Sequence, residues 1–172
     1  LFTNKDELPL PTDRFLTEFS VQRVTIIGGT AVVSEDLAQS LTSRGIVVDR
    51  LAGATRYETA DAVASAPLIV GGQYVPLYEG KKYLFIASGQ NFPDAVAAGS
   101  AAYVGSYPLI LASGGGLTSA SLEIVVSWYR SNPAGRVMIL GGTAAVPALV
   151  EAQLRNNKRP WGPTDGYFGG DF

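Results

Sequence analysis

The 172-residue chain contains no cysteine and no histidine. Without cysteine there is no disulfide framework and no thiolate nucleophile, and without histidine no imidazole base. With both missing, a zinc site of the usual Cys/His kind is excluded. Charge is scarce as well: 13 Lys and Arg stand against 15 Asp and Glu, and charged residues make up only 16% of the chain. A formal net charge of −2 is too balanced for the whole-protein electrostatic footprint of a nucleic-acid binder. No run reaches the ~18 consecutive apolar residues of a membrane span. The opening Leu1–Glu7 lacks the basic, apolar, small-residue order of a signal peptide. It also carries no initiating methionine, so the chain reads as a mature or internal piece of a longer product. What is present is 47% hydrophobic residues and 20 glycines, enough for a core cut by tight turns.

An internal repeat organises the chain. Arg23-Val24-Thr25-Ile26-Ile27-Gly28-Gly29-Thr30-Ala31-Val32-Val33 returns 113 residues later as Arg136-Val137-Met138-Ile139-Leu140-Gly141-Gly142-Thr143-Ala144-Ala145-Val146. The match continues from Asp36–Leu41 onto Leu149–Leu154 and, across a gap, from Leu1–Asn4 onto Ile110–Ser113. Residues 1–48 therefore read as the back part of one copy and 49–156 as a complete copy, with 157–172 outside the repeat.

Short aliphatic runs closed by Gly or Ser predict strands at Val24–Ile27, Ile46–Leu51, Tyr83–Ala87, Leu109–Ala112 and Val137–Leu140. Amphipathic stretches predict helices at Glu35–Ser43, Arg56–Ala66, Pro93–Val104, Ser119–Ser131 and Pro147–Asn156, with a further one near Thr12–Ser20. Buried-type strands alternating with helices indicate an α/β fold: an open, mainly parallel sheet with helices on both faces. Thr55-Arg56-Tyr57-Glu58 has the spacing of a capping box, and Pro93 and Pro147 suit helix starts. Residues 67–80 read as a long surface loop, and the Gly- and aromatic-rich 157–172 as a linker or docking tail. The half-copy 1–48 leaves strand edges exposed, which predicts contact with another copy or chain.

Three glycine-bearing turns follow strands: Gly28-Gly29-Thr30, Ser88-Gly89-Gln90-Asn91-Phe92-Pro93-Asp94 and Gly141-Gly142-Thr143. In a parallel sheet such turns sit at the carboxyl ends of the strands, where backbone amides and helix N-termini converge on a ligand, most naturally an anion. None is a P-loop or a dinucleotide fingerprint, and ordinary turn chemistry accounts for the same glycines. Asp94 reads either as a helix-dipole residue in a first turn or as a ligand group. Arg56 is a cation at a helix start, where the dipole opposes it, so it calls for an anion from outside or for Glu58 or Asp61. Catalysis has no constellation here, since no Gly-x-Ser-x-Gly elbow surrounds Ser88 and the carboxylates Asp49, Asp61 and Asp94 are scattered. No spacing suggests a metal or cofactor.

Arg50-Leu51-Ala52-Gly53-Ala54-Thr55-Arg56-Tyr57-Glu58-Thr59-Ala60, Ala87–Ala95, Pro108-Leu109-Ile110-Leu111 and Ile139–Val146, in that order, strongly resemble the cell wall binding repeat 2 family. The resemblance covers residues 49–156, with 1–48 similar to the tail of a preceding copy. It implies Toprim-like or Rossmann-like units, usually in threes packed as a pseudo-trimer, that anchor secreted Gram-positive surface proteins to anionic wall polysaccharide without catalysis. On that footing the expected ligand residues are Arg50, Arg56, Ser88, Gly89, Asn91, Asp94, Gly141, Gly142 and Thr143. The expected partners are the wall polymer and further copies of the repeat, with no cofactor, nucleic acid or membrane span. Two other functions fit the same residues. One is structural assembly in a surface layer or appendage, and the other is an enzyme acting on a nucleotide or sugar phosphate in the strand-end crevice.

Overall fold

A computed structural model describes residues 1–66, 68–70, 73–75 and 83–157. In chain order the elements are α1 (Leu10–Glu18), β1 (Arg23–Ile27), α2 (Glu35–Ser43), β2 (Val47–Leu51), α3 (Arg56–Ser65), β3 (Leu68–Val70), β4 (Gln73–Val75), β5 (Tyr83–Ser88), α4 (Phe92–Gly105), β6 (Leu109–Ala112), α5 (Ser119–Ser131), β7 (Arg136–Leu140) and α6 (Ala148–Asn157). β1 and β2 pair in parallel, and β6-β5-β7 form a second parallel sheet. This is the expected α/β fold with open parallel sheets, one per repeat unit.

Local signals set the helix starts. The Ser34 hydroxyl accepts from the Leu37 amide at 3.3 Å, and Thr118 caps α5 by accepting from the Ser121 amide at 3.0 Å. The capping box of α3 is complete, with Thr55 accepting from the Glu58 amide and Glu58 accepting from the Thr55 amide at 3.0 Å. Each cap satisfies amides that have no partner within the helix. At the strand-to-helix turns, Gly28 has φ +125° and Gly141 φ +105°, backbone that a side chain rarely tolerates. The two copies thus share a turn as well as a sequence.

The sheet of the complete copy has helices on both faces. Leu84 and Ile86 of β5 face a core shared with Ala64 of α3, Val125 and Trp128 of α5 and Val150 and Leu154 of α6. Phe85 and Ala87 alternate to the other face, where α4 packs and Phe85 meets Tyr107 edge-on at 5.6 Å. The β1-β2 sheet is different. Val24, Ile26 and Val48 pack under α1 and α2 with Leu16, Leu37 and Leu41, but the opposite face carries the exposed Ile27 and Val47. Among the described residues, helices cover this sheet on one face only.

Two expectations are corrected. The strands are not all of buried type: β5 is buried along most of its length, but β1, β2 and β7 are substantially exposed. An aliphatic run reports what a strand can bury, and only its neighbours decide what it does bury. Within the expected loop 67–80, β3 and β4 form an antiparallel pair with Leu68 opposite Val75 and Val70 opposite Gln73. The signal was in the sequence, two triplets rich in β-formers either side of Gly71-Gly72. The remainder of that loop, and the tail from residue 158 onward, lie outside the described residues.

Candidate functional site

Three segments meet at the carboxyl ends of β5, β6 and β7. Ser88 ends β5 fully buried, and its hydroxyl accepts from the amides of Gln90 and Asn91 at 3.2 Å each, folding the turn. Gly89 is paired through its amide to the Ala112 carbonyl of β6 at 2.8 Å. Its own carbonyl accepts a bond from Arg56 Nη1 at 2.9 Å. The Tyr57 ring lies against Gly89, so close that a Cβ there would stand 2.4 Å from the ring. Arg56 and Tyr57, adjacent at the start of α3, are thereby fixed on the β5 turn.

Asp94 sits in the first turn of α4, as its position after Pro93 implies. It also reaches Gly141, where a Cβ would meet its Oδ2 at 2.6 Å. The β5 turn and the β7 turn therefore meet through this carboxylate. Beyond it, Gly142 and Thr143 are exposed. Asn91 occupies the N-cap position of α4, exposed and with no side-chain cap bond.

Seven of the nine expected residues thus lie in direct or sequential contact: Ser88, Gly89, Asn91, Asp94, Gly141, Gly142 and Thr143; Arg56 joins them from α3. Arg50 does not. It projects from β2 across the other repeat unit, donating from Nη1 to the carbonyls of Gly28 at 2.8 Å and Val33 at 2.9 Å. Its Nη2 reaches the Ser34 carbonyl at 3.4 Å and Glu35 at 3.5 Å. Arg56 makes no ion pair with Glu58 or Asp61 among the described residues. Glu58 is occupied by the capping box. Asp61 is turned into the molecule.

Asp61 is the polar group that sequence reasoning placed least well. It is buried between α3 and α5, with both carboxylate oxygens accepting from the Ser121 hydroxyl at 2.8–2.9 Å and one from Thr118 at 3.3 Å. Burial raises its pKa above the ordinary 3.8, the Ser121 and Thr118 hydroxyls act in the opposite direction, and the nearby Glu58 charge raises it further. It borders a depression of about 420 Å³ that also holds Glu123, Ser65 and Ser127. The hydroxyls come from a cap 57 residues away, so no local pattern could have announced them.

Among the described residues no three His, Cys, Asp or Glu side chains are placed to hold a metal ion. No described helix is long and apolar enough to cross a membrane.

Similarity to known proteins agrees with this architecture. N-acetylmuramoyl-L-alanine amidase LytC of Bacillus subtilis (strain 168) is 29% identical over 159 residues, 92% of this chain and 29% of that protein. The amidase enhancer of the same organism is 28% identical over 155 residues, 90% of this chain and 19% of that protein. The chain therefore spans less than a third of either relative. Cwp8 and Cwp6 from Clostridium difficile share the fold, each with a TM-score of 0.72 and 23% identity over 91% of this chain, corresponding to 24% and 23% of theirs. The profile of Cell wall binding domain 2 (CWB2) matches residues 50–151, which takes in α3, the three-stranded sheet, α4, α5 and the first turn of α6, and this cell-wall-binding chain belongs to that family.

Proposed function

We propose that the chain is a non-catalytic anchor that holds a secreted surface protein to anionic polysaccharide of the bacterial wall, together with further copies of the repeat. One observation carries this reading. The same stretch of sequence is shared by an N-acetylmuramoyl-L-alanine amidase and by an amidase enhancer while making up less than a third of each. A segment common to proteins of different activity is an address, and chemistry belongs to what differs between them.

The rim around Arg56 is the proposed contact. Arg56 spends one guanidinium nitrogen on the Gly89 carbonyl, and its other donors make no hydrogen bond among the described residues. The head is thus oriented and still able to grip a phosphate or carboxylate. The amides of the exposed residues Gly142 and Thr143 and the Asn91 side chain add neutral donors. Asp94 divides the rim, because a carboxylate against Gly141 repels an anion there and favours a sugar hydroxyl as donor. Each bond is modest, and repetition across copies multiplies them.

Pull-down on purified wall polysaccharide, native or stripped of its anionic groups, tests the reading. Native polymer should retain the chain, stripped polymer should not, and Arg56→Gln should weaken retention. Equal retention on both polymers would sink the electrostatic mechanism.

A second reading, packing into a surface layer, draws on α4, which leaves Val96, Tyr103 and Val104 67–86% exposed. Large exposed apolar residues in one region mark interaction surfaces. Under this reading Tyr103→Lys lowers self-association in sedimentation and leaves polymer retention unchanged.

A further inference from the structure

The two repeat copies differ in one respect that sequence equivalence does not explain. β1 is paired on one edge by β2, and β7, its counterpart 113 residues on, has no neighbour on the corresponding edge among the described residues. Ile26 of β1 is 7% exposed, and Ile139, the same position of β7, is 37% exposed. The Gly28 amide donates to the Leu51 carbonyl of β2 at 2.8 Å, but the Gly141 amide has no partner among the described residues. The turn carbonyls of Gly28 and Val33 receive the Arg50 guanidinium, but among the described residues no side-chain donor reaches those of Gly141 or Val146. Position by position, the described residues of the complete copy hold no counterpart of what β2 supplies to the partial one.

β2 is also divided from the helix that follows it. The strand completes the sheet of residues 1–48, and α3 packs onto β6 and α5 of the complete copy. The strand that opens one copy thus belongs to the sheet of the copy before it. The chain's own sequence at the matching distance, Pro160-Trp161-Gly162-Pro163-Thr164, has neither the aliphatic pair nor the arginine of Val47-Val48-Asp49-Arg50-Leu51.

We infer that the outer edge of β7 is a docking site for a parallel strand of the β2 type, the opening strand of a further repeat, whose fourth residue is an arginine that clamps the Gly141 and Val146 carbonyls. The register follows from β1 and β2, in which Thr25 faces Asp49 and Ile26 faces Arg50. Met138 and Ile139 are therefore the positions opposite the incoming acidic residue and arginine. An open edge in that register offers backbone partners along its length, and the guanidinium supplies the selectivity. This rests on the proposed role of further copies and adds to it the edge, the register and the selecting residue.

Because the chain has no cysteine, the register can be trapped directly. Full-length protein carrying Met138→Cys is mixed under mild oxidation with a synthetic peptide spanning residues 45–55 that carries Asp49→Cys. Circular dichroism first confirms that the variant folds. A chain–peptide disulfide is expected, falling roughly tenfold or more when the peptide also carries Arg50→Gln, the loss typical of charge-assisted bonds. No trapping, or indifference to Arg50→Gln, overturns the inference. So does preferential trapping at Thr25→Cys, which would mean the peptide displaces β2 instead. Faster disulfide pairing of Met138→Cys chains with one another would show that the edge pairs with itself, and would overturn it too. Polysaccharide pull-down of the same variant is read separately, so failure of the anchoring role and failure of the edge are distinguishable.

Discussion

Arg50→Gln separates a clamp from a ligand. Arg50 has its side chain only 21% exposed and donates two short bonds, 2.8 and 2.9 Å, to backbone carbonyls of the turn after β1. Bonds from a charged donor contribute about 1.5–3 kcal/mol each. Taking the lower figure for each, and discounting for partial exposure and the weak Glu35 contact at 3.5 Å, the substitution should cost about 2–3 kcal/mol. With a urea slope of about 1.5–2 kcal/mol/M for a domain of this size, the unfolding midpoint should drop by about 1–2 M. Hydrogen exchange should quicken first at Gly28 and Ile26, where β1 loses its link to β2. Arg50→Lys keeps the charge but has one donor head in place of a planar fork, so it should recover only part of the loss. Retention on wall polymer, measured where the variant remains folded, should be unchanged. A midpoint within error of wild type combined with weakened retention would refute the clamp and restore Arg50 as a polymer ligand.

Three further outcomes are expected. Burial raises the Asp61 pKa, so the folded state binds its proton more tightly than the unfolded chain. That group's contribution is most favourable below its ordinary 3.8 and is lost as pH rises through the raised value. Asp61→Asn should flatten that part of the stability profile, measured as urea midpoints across a pH series, and an unchanged slope would contradict it. Gly89→Ala should cost about 1–3 kcal/mol through collision with the Tyr57 ring 2.4 Å from the new methyl. Tyr57→Ala in the same chain should relieve it, so strict additivity in a double-mutant cycle would argue against the contact. Trp128 is fully buried and its indole N–H has no hydrogen-bond partner among the described residues, so Trp128→Ala should cost about 3–5 kcal/mol. Trp128→Phe should cost clearly less, because it also removes that unpaired donor, and equal losses in thermal unfolding would count against this account.

Much of the fold was legible because its determinants are local. The capping box at Thr55 and Glu58, the N-caps Ser34 and Thr118, and the glycines at 28 and 141 act within a few residues of the chain. α2 and α5 accordingly start and stop at the expected residues, Glu35–Ser43 and Ser119–Ser131. The placement of the candidate residues was legible in part. Ser88 and Gly89 were correctly placed at a strand end, but Ser88 turns inward to hold two amides. Arg56 reaches the Gly89 carbonyl in preference to either nearby acid, because Glu58 closes the cap and Asp61 faces α5.

By itself, the sequence determined the period of the molecule: two copies of one α/β pattern, their strands and helices, their turn glycines and their kinship with wall-binding repeats. Each of these follows from short-range sterics, amphipathic spacing or direct repetition. Tertiary structure alone decided which donors remain for a ligand and which strands stay open. A guanidinium is satisfied by whatever carbonyls the fold brings within 3 Å, and these lie 17 to 33 residues away for Arg50 and Arg56. Equivalent isoleucines at 26 and 139 differ in exposure, and among the described residues only the first has a strand on that edge of its sheet. Burial belongs to the assembled sheet, and identical local sequence cannot encode the presence of a neighbour.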